Sequence, residues 1–240
     1  MKNLIKQILI KTHLMEYIPK VSEQLVIMKR KVRGVDRSII ESYFAKQEVR
    51  KLHLGCGKHS MKGWLNSDFR AVSNNVLQLD VTKRFPFEND TLDFIYSEHM
   101  IEHITYSDAI LMLSECFRVL KPNGKIRIST PDLQFLFDLY QENKTQQQIE
   151  YIKYDTERFI KWAPYPDDTF VINNFVRDWH HTFIYDEKTL RSSFKRVGFS
   201  NIVRCVLNES ESEAFQNLEN EKRHPPGFLK LQTFTLEGTK

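Results

Sequence analysis

From about residue 50 the chain alternates short apolar runs with longer amphipathic ones. Lys51–Leu54 is a short apolar stretch that ends in Gly55, and Trp64–Asp68 and Val76–Asp80 each close on an aspartate. Leu92–Ser97 reads as a buried strand. Behind it, Ser107–Leu120 places Ile110, Leu113, Phe117 and Leu120 on one helical face, and Lys121-Pro-Asn-Gly124 breaks that helix. Lys125–Thr130 then gives another strand, and a helix begins at Asp132. Such alternation predicts a parallel α/β sheet covered on both faces, with ligands at the carboxyl ends of its strands. The rhythm stops over residues 145–185, which are first polar and then crowded with aromatic residues. It returns with a helix from the N-cap Asp186 to Val197, ended by Gly198. Two further strands, Asn201–Leu207 and Leu231–Gly238, flank an acidic stretch and the turn Pro225-Pro226-Gly227.

The N-terminal region follows another pattern. Leu4, Ile5, Ile8, Leu9 and Met15 fall at helical spacing, with Lys2, Lys6 and Lys11 interleaved. The lysines interrupt the apolar stretch that a secretory signal requires. Two readings stay open: an amphipathic helix packing on its own domain or on a second copy in a homodimer, and a helix lying on an anionic membrane surface. The basic run Lys29, Arg30, Lys31, Arg33 would help the latter, which would make residues 1–33 a peripheral contact at the inner membrane face. After Gly34 a shorter helix, Asp36–Gln47, leads to the first strand.

Composition narrows the function classes. A 240-residue chain with 41% hydrophobic and 28% charged residues has the make-up of a soluble globular protein with one sizeable core. No apolar run is long enough to span a membrane. Three distant cysteines, an odd number without a Cys-x-x-Cys pair, exclude a disulfide framework and a thiolate zinc site, and suit a reducing cytoplasm. Residues 1–50 carry eleven Lys/Arg against five Asp/Glu, whereas the remaining 190 carry twenty-four against twenty-six. The body is near neutral, so nucleic acid is not an expected partner.

Candidate chemistry sits at three successive strand ends. Gly55-Cys56-Gly57 follows the first strand, where glycines let a ligand approach backbone amides. Asp68 ends the second and can bind both hydroxyls of a ribose; Asp80 ends the third and can accept from an adenine amino group. Singly, either aspartate also reads as a plain turn residue. A dinucleotide fold is disfavoured: only six residues separate Gly57 from Trp64, Asp68 comes thirteen after Gly55, and position 60 is Ser rather than Gly. The three ends together describe an adenosine pocket without a phosphate clamp.

The segments LHLGCG, GWLNSDF, LDVTKRFPFENDTLDFIYSEHMIEHI and LSECFRVLKPNGKIRIST resemble the class I S-adenosylmethionine-dependent methyltransferases. They are most similar to a bacterial subgroup with Leu-Gly-Cys-Gly followed by a Gly-Trp-x-Asn-x-Asp strand, of the methyltransferase type 11 kind. The resemblance covers roughly residues 50–131. It implies a Rossmann-like seven-stranded sheet with an antiparallel last strand and S-adenosylmethionine as cofactor. It also implies a division into a helical arm (1–48) and a methyltransferase domain (49–240), whose residues 145–185 form an acceptor lid insertion. Carried over, Gly55, Cys56 and Gly57 face the methionine moiety, Asp68 and Phe69 the ribose, Asp80 and Val81 the adenine, while Ser97 and Glu98 line the mouth. Two positions depart from the common pattern: His53 stands where an acid often precedes the glycines, and Lys58 where a third glycine is usual.

A hydroxyl acceptor benefits from a general base, and a histidine with an ordinary pKa around 6.5 suits that role. His180 and His181, which end the aromatic insertion, are the leading candidates, and His99 competes because it directly follows the fourth strand. Glu98-His99 and Glu102-His103 also have the look of a metal or acid/base cluster. No other Asp/Glu/His set has convincing spacing, so no metal site is expected. Three readings of function follow. One is an O-methyltransferase acting on a sugar or a surface-polysaccharide precursor. Another is a methyltransferase acting on a different small molecule, a protein or RNA. A third is a non-catalytic module that binds an adenosyl ligand. RNA is disfavoured by the neutral body and by the absence of an Asn-Pro-Pro-Tyr-like motif; the binding module is disfavoured by retention of both aspartates.

Overall fold

The computed structural model describes Met28, Arg30 and residues 32–240 other than Val72. The helix expected over residues 2–18, and with it the membrane or subunit contact, lies outside these residues, as do Lys29 and Lys31. Among the described residues no helix is long and apolar enough to cross a membrane.

Seven strands form one sheet: β1 (Lys51–Leu54), β2 (Leu65–Asp68), β3 (Leu77–Gln78), β4 (Leu92–Glu98), β5 (Leu120–Pro131), β6 (Ser200–Cys205) and β7 (Thr233–Thr239). Their order is β3-β2-β1-β4-β5-β7-β6. The first five are parallel, and β7 runs antiparallel between β5 and β6. The order reverses at β1 and β4, so the ends of these two neighbours open a crevice where a ligand can sit.

The expected elements are present with shifted ends. Val76–Asp80 contributes only two paired residues. The break at Lys121–Gly124 is not a turn between helix and strand. Leu120 already pairs with Leu92, and the register shifts before Lys125 pairs with Phe94. A Cβ on Gly124 would lie 2.8 Å from the Lys121 carbonyl oxygen, so glycine allows this bulged backbone to close. Leu231 and Gln232, expected in the last strand, instead end a short helix.

Seven helices are described: α1 (Val35–Lys46), α2 (Tyr106–Val119), α3 (Leu133–Tyr140), α4 (Gln146–Phe159), α5 (Asp168–Arg177), α6 (Glu187–Val197) and α7 (Phe228–Gln232). Side-chain caps fix several starts: Thr105 accepts from the Asp108 N–H, and Asp186 from the Thr189 N–H. Gly198, at φ 112°, ends α6 in a left-handed conformation. Helix α1 is docked on the body, with Ile39, Ile40, Tyr43 and Phe44 packed on the main core. The Tyr43 hydroxyl donates to the Lys51 carbonyl and accepts from the Lys51 N–H, which ties α1 to the start of β1.

Two cores result. The first joins Leu52, Leu54, Ile95, Ile126 and Ile128 of the sheet to Met112 and Leu113 of α2 and Leu190 and Phe194 of α6. The second lies beyond the sheet, where α3, α4, α5 and α7 bury Phe135, Leu139, Tyr151, Val171, Phe175 and Phe228 together. Residues 145–185 are thus largely helical; of their aromatic residues, Tyr151 and Phe175 are buried in this core and Tyr154 and Phe170 pack against it.

Between sheet and loops lies a fully buried cation, Arg127 of β5. Its Nε and Nη2 donate to the two oxygens of Glu219 at 2.7 and 3.0 Å, and Nη1 donates to Glu237 at 2.5 Å. The remaining donors reach the Glu209 and Val206 carbonyls. All five guanidinium N–H groups are thus used. Breaking a buried pair strands the partner's charge, so Glu219→Ala should lower stability by about 3–5 kcal/mol. Urea unfolding of the variant measures this.

His53, buried in β1, donates from Nδ1 to Asn66 Oδ1 at 3.2 Å. Burial lowers its pKa to about 4, so it is neutral in the folded protein. Below about pH 6.5 the unfolded chain takes up a proton here that the folded chain refuses. Stability from this group is therefore full above that pH and falls on acidification toward pH 4, by about 3 kcal/mol for a shift of this size. In thermal melts, His53→Gln should flatten the dependence of Tm on pH across that window.

Candidate active site

The glycine loop leaves β1 with Gly55 at φ 68° and Gly57 at φ 52°. A Cβ on Gly55 would lie 2.4 Å from Met100 Cγ, so this position needs glycine for space as well as conformation. The Gly57 N–H donates to Asp68 Oδ2 at 2.9 Å, and the Arg70 N–H donates to Asp68 Oδ1 at 2.8 Å. Each carboxylate oxygen has a second lone pair left over. Asp80 accepts from the Thr82 N–H and hydroxyl and pairs with Lys83 at 2.7 Å. Burial pushes its pKa upward, but the Lys83 and Thr82 hydrogen bonds outweigh this and hold it below the ordinary value.

These groups surround a cavity of about 390 Å³, whose walls include Gly55, Asp68, Phe69, Asp80 and Val81. Five of the nine expected binding positions therefore meet there. Gly57 contributes through the hydrogen bond to Asp68. The Cys56 side chain is buried beneath the loop, and burial pushes its thiol up to about 11. Ser97 and Glu98 do not line this cavity, which corrects the expectation for both. Ser97 is fully buried in the sheet. Glu98 turns the other way and accepts from Arg223 at 2.6 Å and from the Asn220 N–H at 3.2 Å. The β6–β7 connection has taken the end of β4 as its own anchor. Met100, His103 and Ile104 line the cavity in their place. The signal for them was the run after β4, whose first turn, Ile101–His103, bends back across the crevice.

Histidines gather at one wall. The Thr182 and Phe183 N–H groups both donate to the Glu102 carbonyl, at 2.7 and 3.1 Å. This bond pair brings the end of the insertion back to the crevice, as the topology predicts. The His181 ring lies 5.1 Å from that of His103. His181 Nδ1 donates to the Phe175 carbonyl at 2.6 Å, which leaves Nε2 with its lone pair. His180 is exposed. His99 has Nε2 2.9 Å from the Thr233 hydroxyl and Nδ1 3.5 Å from Glu102 Oε1, so both of its nitrogens face protein groups. Burial lowers the pKa values of His99, His103 and His181 and raises that of Glu102 to about 8. The rings are accordingly neutral near pH 7.

Residues 22–128 match the family model described as a methyltransferase domain. Those residues carry a methyltransferase domain, an enzyme domain that uses S-adenosylmethionine. The methyltransferase is similar in fold to a SAM-dependent methyltransferase from Archaeoglobus fulgidus, at 15% identity and TM-score 0.48, over 90% of this chain and 99% of that one. A methyltransferase from Mesorhizobium loti aligns at 13% identity and TM-score 0.49, over 80% and 91% of the two chains. The phosphoethanolamine N-methyltransferase 2 of Haemonchus contortus, solved with S-adenosyl-L-methionine, aligns at 14% identity and TM-score 0.43, over 85% and 52%. Among curated proteins, none matches the methyltransferase.

The residues present fit the cofactor, because Asp68 offers the cavity two acceptor sites that its backbone partners do not use. Asp68 would hold the ribose and Asp80 the adenine amino group, with Phe69 and Val81 as apolar walls. Hydrogen bonds to a charged group are worth about 1.5–3 kcal/mol, so Asp68→Ala should weaken S-adenosylmethionine binding by roughly 10- to 150-fold. Calorimetric titration of a variant that retains its Tm checks the assignment; an unchanged affinity would refute it.

Proposed function

We propose that the methyl acceptor is a hydroxyl group of a sugar or of a sugar-linked precursor of a surface polymer. The observation that carries this reading is a track of rings leading outward from the cavity. His103 lines the wall, His181 lies against it, Trp179 is 5.6 Å from His181, and Phe159 is 5.5 Å from Trp179. Trp179 and Phe159 keep part of their faces in solvent, while Tyr151 and Phe175 are spent on the second core. Exposed ring faces interspersed with hydrogen-bonding groups suit a polyol, which stacks through its C–H faces and bonds through its hydroxyls.

S-adenosylmethionine supplies an activated methyl group. The chain's part is to hold the acceptor in line, exclude water and ease loss of the hydroxyl proton. His181 is the histidine placed to assist that loss, since its Nε2 keeps a lone pair. His99 is committed to Thr233 and Glu102, and His180 is exposed.

A transfer assay with methyl-labelled S-adenosylmethionine over free sugars, nucleotide sugars, amines and phenols tests the reading. Label should appear on a sugar oxygen, and His181→Gln should cut the rate ~10²–10⁴-fold with cofactor affinity intact. Label confined to an amine or to carbon would overturn it.

A further inference from the structure

The carboxylate of Glu102 is fully buried next to the cavity-lining His103, and its two oxygens differ. Oε2 accepts from the Thr130 hydroxyl at 3.2 Å, whereas Oε1 accepts no hydrogen bond, although His99 Nδ1 faces it at 3.5 Å. A buried oxygen left unpaired is costly, so its surroundings matter. His103 Nε2 lies 3.9 Å from it. Donor atoms of Glu102, His103 and His181 all fall within 4.8 Å of one another. No expectation from the sequence joined these three, because His181 lies 78 positions beyond His103.

We propose that Glu102, His103 and His181 bind a divalent first-row transition cation. Two imidazoles and one carboxylate form a donor set that suits such ions, and His103 also lines the cavity. The orientation of His181 supports it: its Nδ1–H is fixed on the Phe175 carbonyl, the outer contact that sets the tautomer and aims Nε2 at a metal. Backbone strain gathers at the same place. His99, Trp179 and His180 all have positive φ, at 47°, 55° and 62°. Non-glycine residues hold this conformation only where their surroundings over-determine it. Bond lengths to such a cation of about 2.0–2.2 Å require the three donors to close in by roughly 1 Å. Side-chain rotation of the part-exposed His103 and His181 supplies that movement.

The cation site does not depend on the identity of the acceptor. Its use does rest on the hydroxyl reading. An acceptor oxygen bound in the open position would lose its proton to solvent water more readily, and the resulting alkoxide would stay on the metal facing the cavity. His181 would then assist as a ligand rather than by taking the proton itself.

The test is titration of chelator-treated protein with Co²⁺, read by visible absorption, and with Mn²⁺, read by calorimetry. The site predicts saturable binding of one ion per chain and a rise in Tm with the ion present. Glu102→Gln and His181→Gln should each weaken binding at least 10-fold, while His59→Gln, on the exposed glycine loop, should leave it unchanged. Glu102→Gln alters a buried group, so His181→Gln, checked by circular dichroism, decides should the former fail to fold. Absence of one-to-one binding, or equal affinity in wild type and His181→Gln, overturns the site. Sugar methylation without a cation would overturn the site's part in the reaction and leave the acceptor reading standing. A bound cation with transfer only to amines would do the reverse.

Discussion

The arrangement of this methyltransferase depends on one buried cation. Arg127 lies in β5, flanked by β4 and β7 in the interior of the sheet, where an unpaired guanidinium would be prohibitive to bury. Its partners come from β7 and from the long β6–β7 connection, which adds Glu219 and the Val206 and Glu209 carbonyls. Glu219 also accepts from Ser129 and from the Asn208 N–H, so one carboxylate gathers β5 and both ends of the connection. The next residues of that connection, Asn220 and Arg223, hold Glu98 at the end of β4. The network is structural in its energetics and functional in its consequence. It takes the end of β4 out of the crevice and leaves the following segment, with Met100, His103 and Ile104, to form the wall.

The crevice therefore has two sides of different character. On one, Asp68 and Asp80 are anchored by backbone N–H groups or nearby side chains and stay half open to water. On the other, Glu102, His99 and His103 are desolvated, so each favours its neutral form. A ligand spanning both sides meets acceptors for hydroxyl and amino groups at one end and polar groups hungry for a proton or a cation at the other.

Much of this was legible in the sequence because it is local. Apolar periodicity marks β1, β4 and α2, while Asp186 and Gly198 announce the two ends of α6. Gly55 and Asp68 follow from the need for a close backbone approach and for an acid at a strand end. The β6–β7 connection was not legible: Glu219 reads as one more solvated acid among Glu209, Glu211, Glu213 and Glu221. Only the lone Arg127 inside an apolar strand hinted that one of them is buried. Ser97 and Glu98 were misplaced for the same reason, since what covers the end of β4 comes from more than 120 residues later. His181 was placed near the crevice by topology, but its contact with His103 depends on the lid's own packing.

That packing explains how a strained turn persists. Consecutive left-handed Trp179 and His180 cost on the order of 1–3 kcal/mol each, and a tryptophan has no intrinsic reason to adopt such a conformation. On one side of the turn, α5 is fixed by Val171 and Phe175 in the second core. On the other, the Thr182 and Phe183 N–H groups are fixed on the Glu102 carbonyl. Only a few residues are available to span the two anchors, and a relaxed turn would carry His181 away from His103. The lid core and the carbonyl bonds thus supply the energy that the turn stores, and the lid's packing sets where His181 sits. In this fold the aromatic residues of the insertion act on the site mostly through geometry: Phe175 holds the His181 ring by its carbonyl and its face, while Trp179 packs against the same ring and keeps part of its own face in solvent.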